Sequence, residues 1–310
     1  MQPAPIYLID KAPPTPPEKA PRSQPEAAPA APQPTVRPPS ALLQSIADLA
    51  QRKALTMLLG VISVGSLFLF WYVGTRYQLE FYIRFKNIPT PWAVYEEAVK
   101  VLASGDFYVN VAYSLRRILS GFLIAILIGA PLGLLIGQYR RVREMFMPAV
   151  EILRPIPAIA WVPMAIMLWP TSEASIVFIT FIGAFFPILL NTVHGVHSMD
   201  GVLLRAGKCL GASEPRLFWH VILPASLPQI FTGLTVGMGV AWVSLIAAEM
   251  ISGQYGVGYY TWEAYSLVNY PAIVLGMITI GVLGLICSGA IRLAGVIVMP
   301  WLAFAPGGRK

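Results

Sequence analysis

The residue types that could do chemistry in this chain are few and widely spaced. His194 and His197 stand three positions apart, close enough on a helix to share a metal, but no third ligand lies near them and no metal site is expected. Cys209 and Cys287, the two cysteines, form no pair at metal or redox spacing. No Gly-x-x-x-x-Gly-Lys-Ser/Thr loop is present, and "GKC" at 207–209 lacks both the glycine spacing and the hydroxyl, so the chain has no phosphate cradle of its own. Glu249 could serve a proton relay, yet its place near the end of an apolar run suits an interface or gate better. No catalytic residue and no bound cofactor are expected.

The elements that must carry these residues belong to a membrane. Of 310 residues 56% are hydrophobic and only 12% charged, about half the charge of a soluble domain. Uncharged runs cover Ala54–Val73, Ala174–Val193, Val221–Ala248 and Ala264–Ile291, each long enough to cross a hydrocarbon core of about 30 Å. The expected fold is an all-α polytopic membrane protein with about six transmembrane helices. The spans fall near 54–73, 118–136, 153–169, 174–193, 227–251 and 273–291. The net charge of +7 does not indicate nucleic acid, because the basic residues cluster beside the ends of apolar runs. Sixteen of the 22 Lys and Arg fall on one side of this topology, which makes that side, with the N- and C-termini, cytoplasmic. The other six, Arg116 and Arg117 among them, are assigned to one long outer segment.

Three domains are expected. Residues 1–50 hold thirteen of the 28 prolines within the first forty positions and read as a disordered tail with a short amphipathic lead. Residues 51–302 form the membrane domain, and 303–310 a short cytoplasmic tail. Within the membrane domain "PWAVYEEAVKVL" has the spacing of an interfacial helix. Gly121, Ala125, Gly129, Gly133 and Gly137 recur at steps of four, a packing seam for another helix. Pro155, Pro157 and Pro163 break the third span, which places it beside protein or a watery cavity. Asn191, Thr192, Thr235, Trp242, Ser244 and Glu249, on the fourth and fifth spans, are the candidate walls of a substrate pathway.

Between those two spans lies "RAGKCLGASEPRLFWHVILP", twenty polar, turn-punctuated residues. Gly211 is placed to end one short helix in a left-handed turn. Ser213 and Pro215 can open a second. Leu217, Phe218 and Trp219 would give the knuckle an apolar tip that needs a partner.

This knuckle resembles the cytoplasmic motif of permease subunits of binding-protein-dependent ABC importers: Glu-Ala-Ala, three residues, Gly, nine residues, Ile, one residue, Leu-Pro. Ala206, Gly211, Leu223 and Pro224 match it, Val221 replaces the isoleucine, and Arg205 and Gly207 depart from it. "SLRRILSGFLIAILIGAPLGLLIG", "RPIPAIAWVPMAIMLW", "IGAFFPILLNTVHGV", "LPQIFTGLTVGMGVAWVSLIAAEMIS" and "GVGYYTWEA" are similar to the branch that handles nitrate, sulfonate, taurine or bicarbonate. The resemblance implies a type I importer permease in the bacterial inner membrane and a second permease copy. It further implies two cytoplasmic ATPase subunits that hold ATP and Mg, an extracytoplasmic binding protein, and a knuckle that couples to the ATPase. A secondary carrier or channel working alone is the competing reading.

Overall fold

The computed structural model describes residues 39–78 and 87–301, and all regular structure among them is helical. Most of the Pro-rich tail and the 303–310 tail lie outside the described residues. The chain divides into two units, Met1–Val64 and Gly65–Lys310. The described part of the first unit is helix throughout, the opening stretch of α1 (Pro39–Arg76). The lead is helical and runs into the first span with no break near residue 50.

In the second unit, α2 (Pro91–Ala103) starts at Thr90, whose side chain caps the Ala93 amide. It is the short helix expected from "PWAVYEEAVKVL". Next come α3 (Gly105–Gln138), α4 (Arg140–Leu153), a single 3-10 turn (Ala158–Trp161) and α5 (Val162–Leu168). Then follow α6 (Ser172–His197), α7 (Gly201–Cys209), α8 (Glu214–Leu217), a π-turn (Phe218–Ile222), α9 (Leu223–Ser252), α10 (Val257–Ser266) and α11 (Tyr270–Val298). Five stretches are long and apolar enough to cross a membrane, and the bent pair Arg140–Leu153 with Ala158–Leu168, broken by 88°, makes up to six. The expected break in the third span is present, where Pro155 and Pro157 forbid continuous helix. Two spans begin earlier than their apolar runs. The second takes in the whole of 105–117, and the fifth starts at Glu214 because the helix passes through the knuckle without stopping.

The core is a three-helix interlock of α3, α6 and α9. The glycine stripe of α3 packs on α6: a Cβ added at Gly121 would stand 2.8 Å from Thr180 Cβ, at Gly133 2.7 Å from Thr192 Cβ, and at Gly137 2.7 Å from Val196 Cβ. The partner lies 59 positions on in each case (180 less 121, 192 less 133, 196 less 137), so the two helices run parallel and in register. On the other face of α6, Gly183 meets Ser244, Gly233 meets Asn191 and Gly195 meets Gln229, a descending pairing that makes α9 antiparallel. Without lipid-exclusion forces between helices, such close backbone approach is what holds them together.

Candidate functional site

The knuckle is built from local rules. Asp200 caps α7 through Oδ1, which accepts from the Val202 amide at 2.8 Å. The helix ends where Gly211 takes φ +76°, and the Gly211 and Ala212 amides donate back to the Lys208 and Gly207 carbonyls, each at 3.0 Å. This is a Schellman-type stop, and glycine carries it without Cβ strain. Ser213 occupies the N-cap of α8 but makes no side-chain cap bond, and Pro215 sits in the first turn. Lys208 and Glu214 bridge the two arms at 2.9 Å on an exposed surface.

The apolar tip differs from expectation. Leu217 is buried at 1% exposure, and a Cβ at Gly207 would come within 2.5 Å of its Cδ2. Gly207, a departure from the motif, is thus the floor on which Leu217 rests. Phe218 packs partly on the bundle core and stands edge-on to Trp219. The exposed apolar residues are Leu210, 87% exposed, and Trp219, 62% exposed. Arg205 and Ala206 are exposed, and Arg205 makes no salt bridge among the described residues. Val221, Leu223 and Pro224 are half-buried where the π-turn feeds α9. The second short helix is not a separate element, since α8, the π-turn and α9 form one rod.

Of the candidate pathway residues, Asn191 is the one that lines a well-defined cleft. A cleft of about 370 Å³ is lined by Asn191 together with Arg154, Pro157, Gly183, Val236 and Val240. Arg154 is the charged residue on its wall and pairs with Glu151 at 2.9 Å. Asn191 donates its Nδ2 to the Pro187 carbonyl at 2.8 Å. Thr192 is fully buried against Gly133, with Oγ1 donating to the Ile188 carbonyl. Ser244 donates to the Val240 carbonyl and fills the notch at Gly183. Thr235 donates to the Phe231 carbonyl. Trp242 is buried, its indole N–H beside the Cys287 thiol without a well-aligned bond. None of these four lines this cleft.

Glu249 belongs to a third arrangement, which sequence reasoning only half found. It is fully buried, and its carboxylate accepts from Arg117 Nη1 at 2.9 Å, Ser114 Oγ at 2.8 Å and the Gly258 amide at 3.0 Å. Arg117, 2% exposed, also donates to both Glu173 oxygens and to the Tyr255 carbonyl. One guanidinium thus joins α3, α6, α9 and the turn before α10. A buried charge needs such complete pairing, because desolvation costs several kcal/mol per ion. Arg117 was assigned to the outer segment beside Arg116, but it is a helical residue inside the bundle. The signal was present in the spacing: Arg117 continues the stripe Gly121, Ala125, Gly129 by one more step of four. Nearby, burial together with the charges of Glu97 and Glu263 pushes the Tyr260 phenol up to about 12. Among the described residues no group of three His, Cys, Asp or Glu could hold a metal.

Comparison with known proteins agrees with the motif. The family described as the binding-protein-dependent transport system inner membrane component matches residues 118–303. A protein of Methanocaldococcus jannaschii provisionally named an ABC transporter permease is 43% identical over 62% of this chain and 72% of its own length. The nitrate import permease protein NrtB of Synechocystis sp. is 31% identical over 69% of this chain and 81% of its own. The bicarbonate transport system permease protein CmpB of Synechococcus elongatus is 38% identical over 60% and 66%. With its interlocked apolar helices, its glycine-stopped knuckle and this match over more than half its length, the chain belongs to the permease family of binding-protein-dependent ABC importers and is an inner-membrane component.

Proposed function

We propose that this permease forms the translocation pathway for a small oxyanion, nitrate or bicarbonate ahead of a sulfonate or taurine, and that ATP hydrolysis on two partner subunits drives it. The observation that carries the coupling is the knuckle. Leu210 and Trp219 stand exposed on a knuckle whose shape is held by the Gly211 turn and the buried Leu217. An exposed apolar pair so placed suits a partner's cleft. The knuckle side, with both termini, faces the cytoplasm, as the positive-inside bias requires. The extracytoplasmic binding protein meets the opposite end.

The small-anion reading is supported by the names of the nitrate and bicarbonate relatives and by the cleft. Its wall carries Arg154 and no acidic residue. A second copy of this chain completes the pathway in this reading, as the resemblance to dimeric importer permeases implies.

The test is reconstitution in liposomes with candidate ATPase subunits and a candidate binding protein from the same organism. Trp219→Asp and Leu210→Asp are expected to abolish binding-protein-stimulated ATPase activity and uptake, with membrane insertion unchanged. Uptake by the permease alone would overturn the reading in favour of a self-sufficient carrier, and undiminished coupling in both variants would remove the knuckle's role.

A further inference from the structure

The turn between α9 and α10 is held from beneath at consecutive residues. The Gly256 amide donates to Asn110 Oδ1 at 2.8 Å, the Val257 amide to Ser114 Oγ at 2.9 Å and the Gly258 amide to Glu249 Oε2 at 3.0 Å. The Tyr255 carbonyl accepts from Arg117 Nη1 at 2.5 Å. Gly256 has φ +122°, and a Cβ there would collide with the Glu249 carboxylate, so the turn can sit down on that carboxylate only as glycine.

Arg117 reaches the same turn by a second route. Its guanidinium lies 5.3 Å from the centre of the Tyr113 ring, and Tyr113 stacks on Tyr255 with centroids 5.0 Å apart and planes within 15°. The order from inside to outside is Glu249, buried; Arg117, buried; Tyr113, half-buried; Tyr255, 49% exposed. Each layer fixes the next by charge, cation–π contact or ring stacking.

A tyrosine that only anchors a helix in the headgroup region needs no such support. A tyrosine that binds a protein gains from it, because a ring already fixed loses little freedom on association. Tyrosine is also enriched at protein interfaces. The turn lies at the far end of α9 from the knuckle, about 45 Å away at helical rise. That is the end at which a binding-protein-dependent permease meets its receptor under the reading above, and the inference rests on that reading.

We propose that Tyr255 is an anchor for the binding protein and that Arg117 and Tyr113 are positioning residues that hold its ring for docking. Titrating the purified binding protein against the complete transporter in nanodiscs, with ATPase rate as readout, tests this. Tyr255→Ala should raise the half-saturating receptor concentration about ten-fold at unchanged maximal rate, as loss of an aromatic anchor does, and Tyr255→Phe should stay within about two-fold. Tyr113→Ala should produce a smaller rise, and the double variant should match Tyr255→Ala alone, because Tyr113 acts only through Tyr255. An unchanged half-saturation in Tyr255→Ala, a fall in maximal rate alone, or additive losses in the double variant would overturn the assignment. If the unaltered transporter is not stimulated by the receptor, the importer reading itself fails and this assignment falls with it.

Discussion

The two ends of α9 use charge in opposite ways. At the knuckle, Lys208 and Glu214 form an ion pair whose side chains are 59% and 65% exposed. At the other end, Arg117 and Glu249 form one at 2% and 0%. The geometry is alike, 2.9 Å in both, yet the consequences are not. Water screens the first and competes for its partners. In the second, loss of Arg117 leaves the Glu249 carboxylate buried without a counter-ion, whereas loss of Glu249 leaves Arg117 its pair with Glu173. The exposed pair shapes a surface, and the buried pair holds four segments together.

This contrast can be broken by substitution, in a definite order. Removing the cation of the buried pair, Arg117→Ala, should cost about 3–5 kcal/mol, seen as loss of monodisperse protein in detergent and a lowered unfolding temperature, and Glu249→Ala should cost less because Arg117 keeps Glu173. Gly133→Ala comes next. Its new methyl would press on Thr192 Cβ and, at 2.8 Å, on the Leu189 carbonyl, so about 1–3 kcal/mol of overpacking should appear in the same assay. Lys208→Ala comes last, within about 0.5 kcal/mol, with the thermal transition almost unmoved. A Lys208→Ala effect as large as that of Arg117→Ala would mean that the knuckle is not a solvent-washed surface.

Much of this was legible in the sequence, and the failures have physical causes. Gly211 and the four-step glycine stripe were readable because each states a local requirement: a positive φ in one case, space for a backbone in the other. The extra turns at the start of α3 and α9 were missed, because charge and proline end an apolar run without ending a helix. Thr192 and Ser244 were legible as hydroxyls in apolar helices but their helix-packing contacts were not, since a hydroxyl reads alike whether it meets cargo or its own preceding carbonyl. Leu217 was placed at the tip because its burial depends on Gly207, ten positions back, and no helical period links the two. Arg117 was hidden by its neighbour Arg116, though its place on the stripe marked it as inward-facing.

The absence of a break between knuckle and α9 has a mechanical consequence. From Leu223 to Ser252 the helix is a strut of about 45 Å, and a tilt of roughly 10° about its knuckle end would carry its far end through about 8 Å. Under the proposed coupling, a modest push at the knuckle would therefore be amplified into a displacement of that size at the opposite end.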